Sequence, residues 1–165
     1  MSAGAAAPDP VREMLRHTLA TLAYRGAKIL RGAPPGFEEF RPAPGTRTPG
    51  QILAHIGDLF DWAVSLAAGA HVYKEVPPGS WEGDVERFFA AVRRFDDVLA
   101  SPAALGFPPG KLFQGPIADA LTHFGQIAML RRMAGAPVRG ENYFKADIAA
   151  GRVGPEQPPP RFEFD

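Results

Sequence analysis

The stretch 80-SWEGDVERFFAAVRRFDDVLA-100 carries the clearest periodicity in the chain. Trp81, Val85, Phe88, Phe89, Val92, Phe95 and Leu99 recur at steps of three and four. At about 100° of turn per residue they gather on one side of an α-helix. Glu86, Arg93, Arg94 and Asp97 fall on the other side, a solvated face with charges at helical spacing. The stripe predicts burial of Trp81, Phe88, Val92 and Phe95.

Three more segments repeat the pattern. The first opens at Asp9-Pro10, an N-cap followed by proline at the first helical position. Val11, Met14, Leu15, Thr18, Leu22, Gly26 and Ile29 form its stripe, with His17, Glu13 and Lys28 on the polar face. The second opens at 48-TPGQ-51, where Thr48 caps and Gln51 can reach back in a capping box. Its stripe is Ile52, Ile56, Leu59, Ala63, Leu66 and Ala67, ending at Gly69. The fourth runs from about Gly115 to Ala134, with Gly135 and then Pro137 as its stop.

The 18 glycines and 18 prolines separate these segments rather than spreading evenly. They cluster at 32-GAPPG-36, 42-PAPG-45, 77-PPG-79, 106-GFPPG-110 and 154-GPEQPPP-160, all chain breakers. Residues 32–47 are too many for a tight turn and suit a crossover between distant helix ends. Together these features predict an all-α chain, one domain over 1–165: a four-helix bundle over about 10–135 and a C-terminal extension, 136–165. A short helix is expected at about 141–149, followed by a proline-rich tail.

With 18 basic and 18 acidic residues among 165, no charge excess calls for a nucleic-acid partner. The absence of cysteine excludes disulfides, thiolate metal sites and a cysteine nucleophile, so any thiol must arrive as substrate. The start has no basic region leading into an apolar core, and no apolar run approaches the roughly 18–20 residues that span a membrane. A cytoplasmic protein is the expectation. Phosphate-loop, His-Glu-x-x-His and Gly-x-Ser-x-Gly motifs are missing too, leaving nucleotide hydrolysis and serine-hydrolase chemistry without a motif.

The segment 119-DALTHFGQIAMLRR-132 breaks the apolar rule. Ile117, Leu121, Phe124 and Ala128 share one side of its helix. Asp119, His123, Gln126, Leu130 and Met133 form a second stripe, polar above and apolar below, which is expected to face the bundle or a cavity opening from it. A buried carboxylate and imidazole without partners would cost several kcal/mol or shift to neutrality. Two readings satisfy them: a hydrogen-bonded pair that holds the helix in register, or two ligands of one ion. Side chains at i and i+4 can converge on an ion roughly 2.0–2.2 Å from each. His55, beside Ile52 and Leu59 in the second segment, adds a third donor. Two imidazoles and a carboxylate leave coordination positions open for water or substrate.

These residues resemble the DinB/bacillithiol-transferase-like superfamily of four-helix bundles. The similarity lies in 48-TPGQILAHIGDLFDW-62 and 119-DALTHFGQIAML-130, and spans about residues 10–135. Members typically carry His-x-x-x-His followed by Arg-Gly-Gln in the later helix, completing a three-histidine site for a divalent metal. His55 matches the first histidine, His123 the last, and Gly125-Gln126 the Gly-Gln. Asp119 stands at the middle histidine, and Phe124 at the usual arginine. A carboxylate is harder than imidazole, which moves the expected metal from zinc or nickel towards iron or manganese, although zinc accepts such a set too. It also fits a member that has lost its metal.

Asp58 and Asp61, beyond His55 on the same helix, are candidate partners of its imidazole or simply acidic flank positions. The resemblance implies metal-dependent transfer of a low-molecular-weight thiol to a small-molecule substrate, or a related isomerisation, and a homodimer. The alternative is a non-catalytic bundle that binds a ligand or partner and holds no metal. Glu141, Asn142 and Tyr143 can fold over the site mouth or pack the tail on the bundle. His71 reads as a loop histidine. Arg131 and Arg132 complement the helix dipole, with anion binding as their minor alternative.

Overall fold

Three helices start where side-chain oxygens meet the free N–H groups of a first turn. Asp9 accepts from Val11 N at 2.9 Å, and Ser80 from Gly83 N at 3.1 Å. Thr48 accepts from Gln51 N at 3.2 Å while Gln51 Oε1 accepts from Thr48 N at 3.0 Å, a complete capping box. These caps open α1 (Pro10–Leu30), α2 (Pro49–Ala67) and α3 (Trp81–Ala100) in the computed structural model, which describes residues 9–164.

The fourth helical path starts earlier than its sequence pattern indicates. It opens with a short α4 (Pro109–Leu112), widens into a π turn over Phe113–Ile117 and continues as α5 (Ala118–Met133). Pro116 lies inside the π turn. Proline has no N–H to donate and its ring crowds the preceding turn, so a wider turn carries the chain past it.

Around the core, α3 packs against both α1 and α2, and α5 packs against the same two helices. The first two helices therefore lie diagonally across the core, which the long 32–47 segment must span. Phe88 of α3 sits at the centre, its ring centroid 5.7 Å from Phe60 of α2 and 5.1 Å from Phe124 of α5. Phe88, Val92 and Phe95 are fully buried. Trp81, expected to be buried, is only partly so, and its ring meets Phe37 edge-on at 5.6 Å.

The buried face of α1 is rotated from its expected stripe. Leu15, Leu22, Gly26 and Ile29 are buried as part of that face, but Leu19, Ala23, Tyr24 and Ala27 join them, while Val11 and Met14 are exposed. Lys28, expected on the solvated face, bonds the carboxylates of Glu141 at 2.7 Å and Glu163 at 2.9 Å.

The expected helix at about 141–149 is absent. Gly140–Glu141 (β1) instead pairs antiparallel with Glu163–Phe164 (β2), followed by a single 3-10 turn over Tyr143–Lys145. Glu141 is pulled inward by Lys28 and by the Tyr24 hydroxyl at 2.6 Å, and Asn142 accepts from Phe144 N at 3.1 Å. The bonds from Lys28 and Tyr24 and the pairing with β2 hold Gly140–Glu141 extended, and the Asn142 cap confines the helical turn to Tyr143–Lys145. Val153 of the extension joins the main core cluster. No helix among the described residues is long and apolar enough to cross a membrane.

Candidate metal centre

The capping box fixes where α2 begins, and His55 follows on the side flanking Ile52, Ile56 and Leu59, all buried. On the neighbouring α5, Asp119 and His123 project one turn apart just past the π turn. The three side chains converge. His55 Nε2 lies 3.5 Å from one Asp119 oxygen, and His123 Nε2 lies 3.5 Å from the other. One ligand atom from each falls within 4.8 Å of the other two, and the imidazole centroids are 4.7 Å apart.

The far nitrogen of each ring is already engaged. Gln126 Oε1 sits 2.7 Å from His123 Nδ1, and the Tyr73 hydroxyl 3.1 Å from His55 Nδ1. An oxygen accepting from Nδ1–H leaves Nε2 with a bare lone pair, the tautomer that a metal ligand needs. His55 also titrates below the usual histidine range. Burial is the foremost cause, the charges of His123 and Arg47 add to it, and Asp119 opposes it. A neutral, ligating imidazole is thereby favoured at neutral pH.

Tyr73 has no helical spacing to announce it, and in 69-GAHVYKE-75 only His71 draws notice from sequence. The loop that carries it is moored to α2 at three points. Ser65 Oγ donates to Ala70 O at 2.6 Å and accepts from Val72 N at 3.0 Å. His71 stacks on Trp62 at 5.5 Å, so it serves the loop and stays outside the triad. Asp58 accepts from Val76 N at 3.3 Å.

Asp58 and Asp61, then, do not back His55. Arg87 of α3 donates to Asp58 at 2.6 Å and to Asp61 at 2.8 Å, and Arg94 donates to Asp61 at 2.5 Å. The partner of these acids lies on another helix, which α2 read alone cannot reveal. Glu141 and Tyr143 are likewise displaced from the expected site mouth. They line a different cavity, between the Leu22–Ile29 face of α1 and the Leu121–Ala128 face of α5, where Glu141 is held by Tyr24 and Lys28. Arg131 is buried and donates to the carbonyls of Ile29, Arg31 and Gly32 at 2.6–3.0 Å, so it clamps the end of α1 and leaves no fork for an anion.

Two clefts open beside the triad. One, of about 400 Å³, is lined by Arg47, Gln51, His55, Asp58, Glu75 and Val76 among others. The second, of about 480 Å³, is bordered by Trp62, Gln114, Asp119 and Thr122. The Asp119 side chain is 47% exposed, whereas those of His55 and His123 are 21% and 12% exposed. The acid thus faces the open side, with the rings set deeper.

Compared with known protein families, curated proteins and solved structures, the chain shows no match.

Proposed function

We propose that His55, Asp119 and His123 hold a divalent metal ion, and that the chain is a metal-dependent enzyme of the DinB-like bundle type acting on a small molecule. The observation that supports this most is the pair of 3.5 Å gaps between Asp119 and the two Nε2 atoms. They exceed an ordinary hydrogen bond of about 2.7–3.2 Å yet suit donors gathered round one ion. A hydrogen-bonded pair kept for packing would call for a buried carboxylate, and this one is half exposed.

The donor set fits such an ion on its own chemistry. Both imidazoles can be neutral at Nε2, and the carboxylate brings the charge that favours iron or manganese while still admitting zinc. Tyr73 and Gln126 fix the rings, and one neighbouring cleft opens beside His55 and the other beside Asp119. When bound, the metal would supply Lewis acidity, lowering the pKa of a thiol or water in its remaining positions. The chain has no cysteine, so in thiol transfer the sulfur nucleophile belongs to a low-molecular-weight co-substrate.

The test is the metal content of protein purified without a histidine tag, beside His55→Ala and His123→Ala. Near-stoichiometric metal in the parent and its loss in both variants is the expected result. A parent that takes up no metal from a panel of iron, manganese, zinc and nickel overturns the reading.

A further inference from the structure

Most acidic and basic side chains packed near the site neutralise one another. Asp58 and Asp61 share Arg87, and Asp61 also takes Arg94. Arg47 and Glu75 are different. Both line the cleft beside His55, both are exposed, and neither makes an ion pair or hydrogen bond among the described residues.

Their backbones are nonetheless fixed. Arg47 immediately precedes Thr48, the buried cap of α2, and Glu75 precedes Val76, whose N–H is held by Asp58. Pro77 and Pro78, which follow on the cleft wall, stiffen the same strip. Two opposite charges are therefore presented to one cleft from anchored positions.

We propose that this cleft takes a small dipolar ligand with amino-acid-like charges, its oxyanion on Arg47 and its ammonium on Glu75. The guanidinium fork matches a carboxylate in two parallel hydrogen bonds, and Glu75 accepts from an ammonium. Either charge alone would leave the other wall uncompensated. Because His55 forms part of the same wall, the remainder of the ligand is brought to the triad. That last point rests on the metal reading above; the charge recognition does not.

The experiment uses three probes of similar length: β-alanine with both charges, propionate with one and propylamine with the other. Binding to the full chain is followed by NMR at Arg47 Nε–H and at the Glu75 carboxylate carbon, first after chelation and then with zinc loaded. After chelation the probes cannot bind through a metal, so a failure of the metal reading leaves this arm intact. β-Alanine should saturate both signals about tenfold more tightly than either single-charge probe, each exposed charge contact being worth a few-fold. Arg47→Gln should reduce β-alanine to the affinity of propylamine, and Glu75→Gln to that of propionate. β-Alanine binding no better than the single-charge probes, or binding that both variants leave unchanged, overturns the proposal.

Discussion

The Tyr73 hydroxyl stands 3.1 Å from Nδ1 of His55 and ties the loop after α2 to the triad. Outer hydrogen bonds of this kind typically change metal affinity by about 10–100-fold when removed. Tyr73→Phe should weaken metal binding by about tenfold, measured by competition with a chromogenic chelator, while the melting temperature of the metal-free protein stays nearly unchanged. An unaltered affinity would show that the hydroxyl has no part in orienting the ring.

In the proposed metal site, Asp119 is the donor expected to set metal preference. Asp119→His replaces a hard, charged oxygen donor with a nitrogen donor, so selectivity should move towards zinc and nickel and away from manganese. Paired dissociation constants for manganese and zinc on both proteins check this. A zinc-to-manganese ratio equal to that of the parent would exclude Asp119 from the coordination.

His55 predicts a pH response in the metal-free protein. Its folded value is depressed, mainly by burial. Between that value and the ordinary value of about 6.5, the unfolded chain binds more protons than the folded one. Stability from this group is thus fully present above about pH 6.5 and lost as pH falls through the folded value. Urea unfolding at stepped pH should show this loss in the parent and a smaller one in His55→Gln. An imidazole titration midpoint above the ordinary value would contradict the sign.

Gly26 lies where α1 meets the Phe124 ring, and a Cβ there would sit 2.9 Å from Cζ. That ring is buried and packs edge-on against Phe88, which limits its retreat on that side, although it also borders the cavity between α1 and α5. Gly26→Ala gains up to about 1 kcal/mol of helix propensity, but overpacking of this kind costs about 1–3 kcal/mol. A net loss of about 1–2 kcal/mol in urea is expected, and a more stable variant would refute the close approach.

The Glu141 side chain is wholly buried, between Lys28 and Tyr24. Glu141→Ala leaves both groups short of a partner, although Lys28 retains Glu163. The expected loss of stability is about 2–3 kcal/mol, below the full value for an orphaned buried charge. Metal affinity should not change, and a drop in affinity without a loss of stability would return Glu141 to the site.

The long helices could be read from sequence because each carries its own signals. Asp9, Thr48 and Ser80 cap within three residues, and the apolar stripes recur within one helix. Asp119 and His123 were legible for the same reason, being one turn apart on α5, and His55 through its motif and its apolar neighbours. What sequence misplaced depends on partners far along the chain. Asp58 and Asp61 turn from His55 to Arg87 because α3 packs beside α2. Gly140–Glu141 are extended rather than helical because Lys28, Tyr24 and β2 bind them from elsewhere.

Spacing along the chain determined the four helices and the pairing of an acid with a histidine, since both follow from a period of about 3.6 residues. It could not determine that Tyr73, on a loop without periodicity, holds the His55 ring, or that Arg47 and Glu75 share a cleft. Those relationships exist only once Ser65, Trp62 and Asp58 have pinned the loop to α2. The contacts that pin it join separate segments, so they are settled by packing rather than by local preference.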